Sequence, residues 1–396
     1  MFNNSNKTTK HSVNKCSVLF NKFRKCLVRT ASIITCTAIV ATSVTPAFAA
    51  GITSGTTAAK SSVISNEVST DTSVSWPQAP DITCESAILV DADTGSILYE
   101  KDAHRKCYPA STTKILTGLL TIENCNLSDT LTFSTAAANS INPIEDANLG
   151  MKAGEELTVE QALYALLLYS ANEVAYALAE KVAGSIDAFV DMMNNKAREL
   201  GAIETHFANA SGLYNPNHYT SAYDMAMIAR GCYNNASFVN IDSTSSSYTI
   251  PATNVTSTPR TIKHRHKMLK GREFYYEYCK GGKTGFTDES LMTLVTFAEK
   301  DGMRLICVVF RSPDDSTRFI DTRSLFDWGF NNFKKSTTSD TQISSLFSTD
   351  NYYSSDVFNK SKLNFNMNAS FITIPNSGST SSVTMSLDKN YDITNE

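Results

Sequence analysis

Residues 291–310 read LMTLVTFAEKDGMRLICVVF. Two apolar runs, Leu291–Ala298 and Met303–Phe310, flank the turn sequence Lys300-Asp301-Gly302, so the stretch predicts an antiparallel hairpin. Cys307, inside LICVVF, reads as a strand-core residue. Working back along the chain, Ala87–Val90 and Ser96–Glu100 flank Asp91-Ala92-Asp93-Thr94-Gly95, a second hairpin signal. Between the two hairpins the pattern is helical. From Ser111 onward Ile115, Leu116, Leu119, Leu120 and Ile122 gather on one side of a helix. Thr158 and Gln161 form a capping-box pair that opens a helix through Leu168. Further helices are expected from about Glu173 to Val182, from about Ser185 to Leu200, over Tyr223–Cys232 and over Ser316–Trp328. Strands, then helices, then strands predict an antiparallel sheet whose terminal strands pair across a helical insert. That is an α+β (α/β-layered) fold.

The chain has 396 residues, too many for one small core. Hydrophobic residues at 42% and charged residues at 19% exclude wholesale disorder and collagen-like repeats. A net charge of −4 argues against a nucleic-acid partner. Residues 1–50 hold seven of the 35 basic groups and no acid, which leaves 28 basic against 39 acidic groups in the remainder. That remainder is not expected to coat anionic membranes by electrostatics alone. Lys7, Lys10, Lys15, Lys22, Arg24, Lys25 and Arg29 precede an apolar run from Ala31 to Val44, followed by Ala47-Phe48-Ala49. This order predicts a secretory signal over 1–49, a secreted protein at the wall or the outer face of the membrane, and no clear membrane anchor after cleavage. Residues 50–83 read as a Ser/Thr-rich linker, 84–333 as the main domain, and 334–396 as a short Ser/Thr/Asn-rich β region. The six cysteines beyond the signal are scattered without a Cys-x-x-Cys pair, so they read as buried small hydrophobes and zinc is not expected.

Three short motifs can carry chemistry together. In Ser111-Thr112-Thr113-Lys114, helical spacing brings the lysine to the serine hydroxyl, and the helix start offers N–H groups to an anion forming there. Lys114 must be neutral to act as a base, which burial and neighbouring cations can achieve. Alone the motif is weak, since Ser12-Val13-Asn14-Lys15 matches it too. Ser170-Ala171-Asn172 stands where two apolar helical segments meet, so it caps a helix or lines a cleft. In the functional reading Ser170 relays a proton towards a leaving amine and Asn172 binds a backbone carbonyl. Lys283-Thr284-Gly285, after Gly281-Gly282, precedes a strand. There a peptide could add as an extra strand, Gly285 would let its backbone approach, and Lys283 and Thr284 could hold a terminal carboxylate or help position Ser170. In this order the trio is the one found in penicillin-binding proteins and class A β-lactamases.

From about Ser86 to Phe333 the chain resembles the low-molecular-weight penicillin-binding proteins, specifically D-alanyl-D-alanine carboxypeptidases of the S11 serine peptidase family. Stretches such as YPASTTKILTGLL, LLLYSANEVAYALAE, NASGLYNPNHYT and CKGGKTGFTDES carry the likeness. The resemblance implies a penicillin-binding protein/β-lactamase-like fold without metal or cofactor. Ser111 would be the acylated nucleophile and Lys114 its base. Ser170 with Asn172 would form the second element, and Lys283, Thr284 and Gly285 the third. An oxyanion hole would use the Ser111 N–H and one near Thr287 or Asp288. Arg265 is the candidate for the substrate carboxylate. Partners would be peptidoglycan stem peptides ending in D-Ala-D-Ala, with β-lactam antibiotics as covalent inhibitors. The alternatives are a β-lactamase and an inactive penicillin-binding wall sensor. Two departures stand out: Glu173 where relatives often have Asp, and Ser290-Leu291 where they usually have Ala-Gly.

Other signals have plainer readings. Asp93-Thr94-Gly95 has no second copy, so a turn explains it better than an aspartic-protease dyad. His218 is expected to hydrogen-bond structurally, His264 and His266 to lie in a solvated basic loop, and Phe274-Tyr275-Tyr276 to pack.

Overall fold

The computed structural model describes residues 69–70, 76–337, 371–377 and 383–384. The expected signal over 1–49 lies outside the described residues, as do most of the 50–83 linker and most of 334–396.

Strands β1 (Ser86–Asp91) and β2 (Ile97–Lys101) form the first hairpin. Strands β3 (Cys279–Thr287), β4 (Leu291–Lys300) and β5 (Met303–Ser312) follow the helices. They join in one antiparallel sheet of order β2-β1-β5-β4-β3. β1 pairs with β5 from Ser86 opposite Phe310 to Asp91 opposite Leu305, so the terminal strands close the sheet across the insert as expected. The unbroken apolar run of β5 has a physical cause: both faces are covered. Ile306, Val308 and Phe310 join the core under the helical insert, whereas Leu305, Cys307 and Val309 join a second core on the opposite face.

Helices α1 (Lys114–Asn124), α2 (Val159–Tyr164), α3 (Asn172–Ala183), α4 (Ile186–Glu199), α5 (Ala222–Tyr233) and α6 (Ala236–Asp242) belong to the insert. α7 (Asp315–Asn332) covers the other face with Phe319, Leu325, Phe326 and Trp328. The capping box of α2 forms as read, with Thr158 and Gln161 each bonding the other's backbone N–H. Its continuation to Leu168 is not α-helical: Ala165–Tyr169 widens into a π-helical turn.

The hairpin reading of Asp93-Thr94-Gly95 holds. Asp91, buried at the end of β1, accepts the N–H groups of Asp93 (2.8 Å) and Thr94 (3.0 Å) and so folds the turn. Folded structure begins ahead of Cys84. Trp76 donates to the Leu98 carbonyl (3.2 Å) and packs 5.0 Å from Phe333, and Ile82 lies in the second core. Beyond α7, strands β6 (Phe333–Thr337) and β7 (Phe371–Pro375) pair antiparallel. Thr373 of β7 donates to Asp91 (2.7 Å), which docks this ladder on the first hairpin. The six described cysteines are free thiols; four are buried, and Cys125 and Cys279 are half-buried. Among the described residues no helix is long and apolar enough to cross a membrane.

Candidate active site

Pro109 leads into a 3-10 turn, Ala110–Thr113, which runs directly into α1. Ser111 therefore stands at a helix start, and Lys114, the first residue of α1, is wholly buried. Lys114 Nζ lies 2.9 Å from Ser111 Oγ, 2.6 Å from Asn172 Oδ1 and 2.5 Å from the Ser211 carbonyl oxygen. The last two atoms can only accept. On a neutral amine they take both N–H bonds, so the lone pair is left facing Ser111, whose hydroxyl then becomes the donor. Burial, aided by the nearby Arg265 charge, pushes the Lys114 ammonium down to about 7, against the opposite pull of Glu173 and Asp146. A lysine so placed can take a proton near neutrality.

The second motif is presented by the π-helical turn. Its extra residue ends the helix at Ser170, which adopts a left-handed conformation (φ +69°) with its N–H on the Ala165 carbonyl. Asn172 then opens α3, its backbone N–H bonded to the Ala147 carbonyl (2.8 Å). Because Asn172 Oδ1 faces Lys114, its amide nitrogen is the end left to donate. Glu173 grips the same wall of the site by accepting the Leu149 N–H (2.6 Å), and burial raises its pKa. Ser170 lines the cleft, and its hydroxyl has no hydrogen-bond partner among the described residues. Ser170 is not among the three partners of Lys114 Nζ, so the expected relay between them is not a direct hydrogen bond here.

The third motif lies on β3, the sheet edge. A Cβ on Gly285 would stand 2.9 Å from the Ser111 nitrogen, a measure of how closely strand and nucleophile turn approach. Thr284 and Gly285 line the cleft beside Ser111, in a cavity of about 940 Å³. Lys283 precedes them on β3. It is buried, its Nζ donates to the Thr284 carbonyl (2.8 Å), and it stands behind the cleft wall. Burial first, then Lys114 and Arg265, hold its pKa well below the usual lysine range. Arg265 does line the cleft, over the Tyr169 ring at 4.6 Å, and its guanidinium has no hydrogen bond or ion pair to a described residue.

Two elements of the site escaped the sequence reading. One is the Asn209–Gly212 turn that supplies the Ser211 carbonyl. Asn209 Oδ1 accepts from Ser211 N (3.1 Å) and Gly212 N (2.7 Å). Gly212 sits at φ +86°, and a Cβ there would collide with the Ala110 carbonyl. Thr117 bonds the Ala210 carbonyl (2.7 Å), and Thr113 meets His218 (2.7 Å), which fastens α1 to this region. The Asn-x-Ser-Gly turn chemistry was the available signal. The other is Arg318 of α7, which donates to the carbonyls of Gly285 (2.9 Å) and Thr293 (3.0 Å). No local pattern links it to β3.

His218 plays the structural part expected of it. Its Nδ1 accepts the Ala208 N–H (3.0 Å), and burial pushes its pKa down to about 3. The solvated loop expected at His264 and His266 is corrected: both are buried, with His266 on Thr296 (2.9 Å). Alternation inverts the segment, since Ile262, His264, His266 and Met268 face in while Lys263 and Arg265 face out. Of the two expected oxyanion donors, the Thr287 N–H is already engaged by Ser290 Oγ (2.9 Å), while Asp288 lines the cleft. Leu291, next to Ser290, is held at φ +54°. The aromatic run packs only in part: Phe274 stacks on Phe319 and Tyr276 is buried, but Tyr275 is exposed.

A family model described as D-alanyl-D-alanine carboxypeptidase, peptidase family S11, matches residues 73–314. The chain belongs to this family. A D-alanyl-D-alanine carboxypeptidase of Bacillus subtilis, DacF, is 34% identical over 259 residues, 63% of this chain and 63% of that relative. The match thus spans less than two thirds of that curated relative's length. Among solved structures, a D-alanyl-D-alanine carboxypeptidase of Mycobacterium tuberculosis superposes with a TM-score of 0.58 at 31% identity, covering 67% of this chain and 96% of that one. Penicillin binding protein 6B of Escherichia coli gives 0.61 at 27% identity, covering 76% and 86%. The α+β fold of this S11 chain is therefore of the penicillin-binding protein type.

Proposed function

We propose that this S11 family member is a serine D-Ala-D-Ala carboxypeptidase acting on peptidoglycan stem peptides outside the cytoplasmic membrane. The observation that carries the reading is the wiring of Lys114, which two obligate acceptors turn towards Ser111. In the proposed reaction Ser111 Oγ attacks the carbonyl between the two terminal D-alanines while its proton passes to Lys114 Nζ. The C–N bond breaks, the proton goes to the departing amine of D-alanine, and an ester on Ser111 remains. Water hydrolyses that ester, with Lys114 again receiving the proton. Ser170, in the cleft wall and without a hydrogen-bond partner among the described residues, hands protons to the leaving nitrogen. The Asn172 amide donates to a substrate carbonyl. Thr284 and Arg265, whose guanidinium has no partner among the described residues, receive the terminal carboxylate, with the charge of Lys283 behind them. Gly285 allows the peptide backbone to lie close to Ser111. β-Lactam antibiotics present a similar amide and would acylate Ser111.

D-Alanine release from a Lys-D-Ala-D-Ala or diaminopimelate-D-Ala-D-Ala peptide tests this. Ser111→Ala is expected to lose about 10³-fold or more, and Lys114→Ala about 10²-fold or more. Wild-type protein that takes up penicillin without releasing D-alanine would point instead to the wall sensor. Rapid penicillin turnover would point to the β-lactamase.

A further inference from the structure

Asp242, the last residue of α6, is a fully buried carboxylate at the end of a helix where negative charge is disfavoured. Its Oδ2 accepts the N–H of Gly282 (2.6 Å), the residue before Lys283. Its Oδ1 makes no hydrogen bond, and it lies 3.5 Å from His264 Nε2, which makes none either. His264 Nδ1 accepts from the His266 N–H (3.0 Å), so in a neutral ring the hydrogen is on Nε2, the nitrogen facing Asp242. Gly281 and Gly282 adopt φ +120° and +136°, and a Cβ on Gly281 would stand 2.5 Å from Asp242 Oδ2. The double glycine lets the strand fold round the carboxylate, at the place where the β3–β4 register slips.

Lys283 is faced by Lys114 from α1, Arg265 from the preceding loop and Arg318 from α7, and by Asp242 from α6. Asp242 is faced by Cys232 of α5 and Cys279 of β3, both kept as thiols by burial, and by His264. His266, next along, is held neutral by burial. Among the groups that face Lys283 in the described residues, Asp242 is the one carboxylate; Arg318 is itself paired with Asp315, and Lys114 is neutral when it serves as the base.

We propose that Asp242 is a positioning residue: it holds the backbone immediately ahead of Lys283 and supplies a counter-charge that favours the ammonium form of this lysine when a carboxylate-ended peptide binds. The inference rests on the reading of Lys283 as the cation behind the carboxylate end of the cleft. Asp242→Asn keeps an acceptor for the Gly282 N–H and removes only the charge. Because Asp242 draws the Lys283 pKa upward, the variant should lose the ammonium at lower pH. The pH dependence of kcat/KM for D-alanine release is measured for wild type, Asp242→Asn and Lys283→Ala, with thermal unfolding as the control. The expected result is an alkaline limb moved to lower pH in Asp242→Asn, carried by KM rather than kcat, and absent in Lys283→Ala. Superimposable profiles for wild type and Asp242→Asn, with Lys283→Ala impaired, overturn the role of Asp242 alone. A fully active Lys283→Ala overturns the reading of Lys283 beneath it, and this inference with it. If Asp242→Asn does not fold, Asp242→Ser makes the same comparison. Failure of both to fold overturns the proposal in favour of a purely structural carboxylate.

Discussion

Lys114 is an expensive residue to bury, and its surroundings show what the burial achieves. An amine with no exposure, held by one side-chain amide oxygen and one backbone carbonyl, has its charged form destabilised and its lone pair oriented together. Since the neutral form is the base, acylation should fall as pH drops below about 7, by roughly tenfold per unit once the lysine is mostly protonated. Rates of fluorescent-penicillin labelling between pH 5 and 9 measure this; a flat profile would remove Lys114 from the role. Lys114→Arg keeps a cation that cannot deprotonate, so a loss of about 10²-fold or more is expected despite the conserved charge.

At the level of elements, the site depends on how tightly the nucleophile turn is clasped between the Asn209–Gly212 turn and β3. Gly212→Ala forces a side chain into a left-handed position and against the Ala110 carbonyl. It should cost about 2 kcal/mol or more of stability and slow acylation at least about tenfold. The cap of α2 serves as a contrast. Thr158→Ala removes the acceptor for the Gln161 N–H and should cost about 1 kcal/mol while leaving acylation unchanged. Urea unfolding and penicillin labelling on both variants separate the two effects. Equal acylation losses would show that the Gly212 contact does nothing specific for Ser111.

For the whole molecule, the sheet that joins residues 86–101 to 279–312 brings three motifs, far apart in the chain, to one cleft. Much of this was visible in the sequence. Apolar runs bounded by turn residues marked both hairpins, and helical spacing alone placed Lys114 beside Ser111. What was not visible depends on contacts between segments with no local pattern in common. The Ser211 carbonyl, Arg318 and Asp242 acquire their partners only on folding. His264 and His266 were misread because Lys263, Arg265 and Lys267 gave the segment a solvated look, although the alternation of Ile262, His264, His266 and Met268 was there to be read. The contact of β7 with the first hairpin was equally silent. Thr373→Val leaves the buried Asp91 carboxylate short of one donor and should lower stability by about 1–3 kcal/mol without changing acylation. Chemical unfolding alongside labelling decides this, and a variant of unchanged stability would mean that the ladder rests on the hairpin without bracing it.

Mapping of the labelled peptide after reaction with a fluorescent penicillin tests the central arrangement most directly. The label is expected on Ser111, abolished in Ser111→Ala and strongly slowed in Lys114→Ala. Undiminished labelling of Ser111→Ala, or a label mapped to another serine, would contradict it.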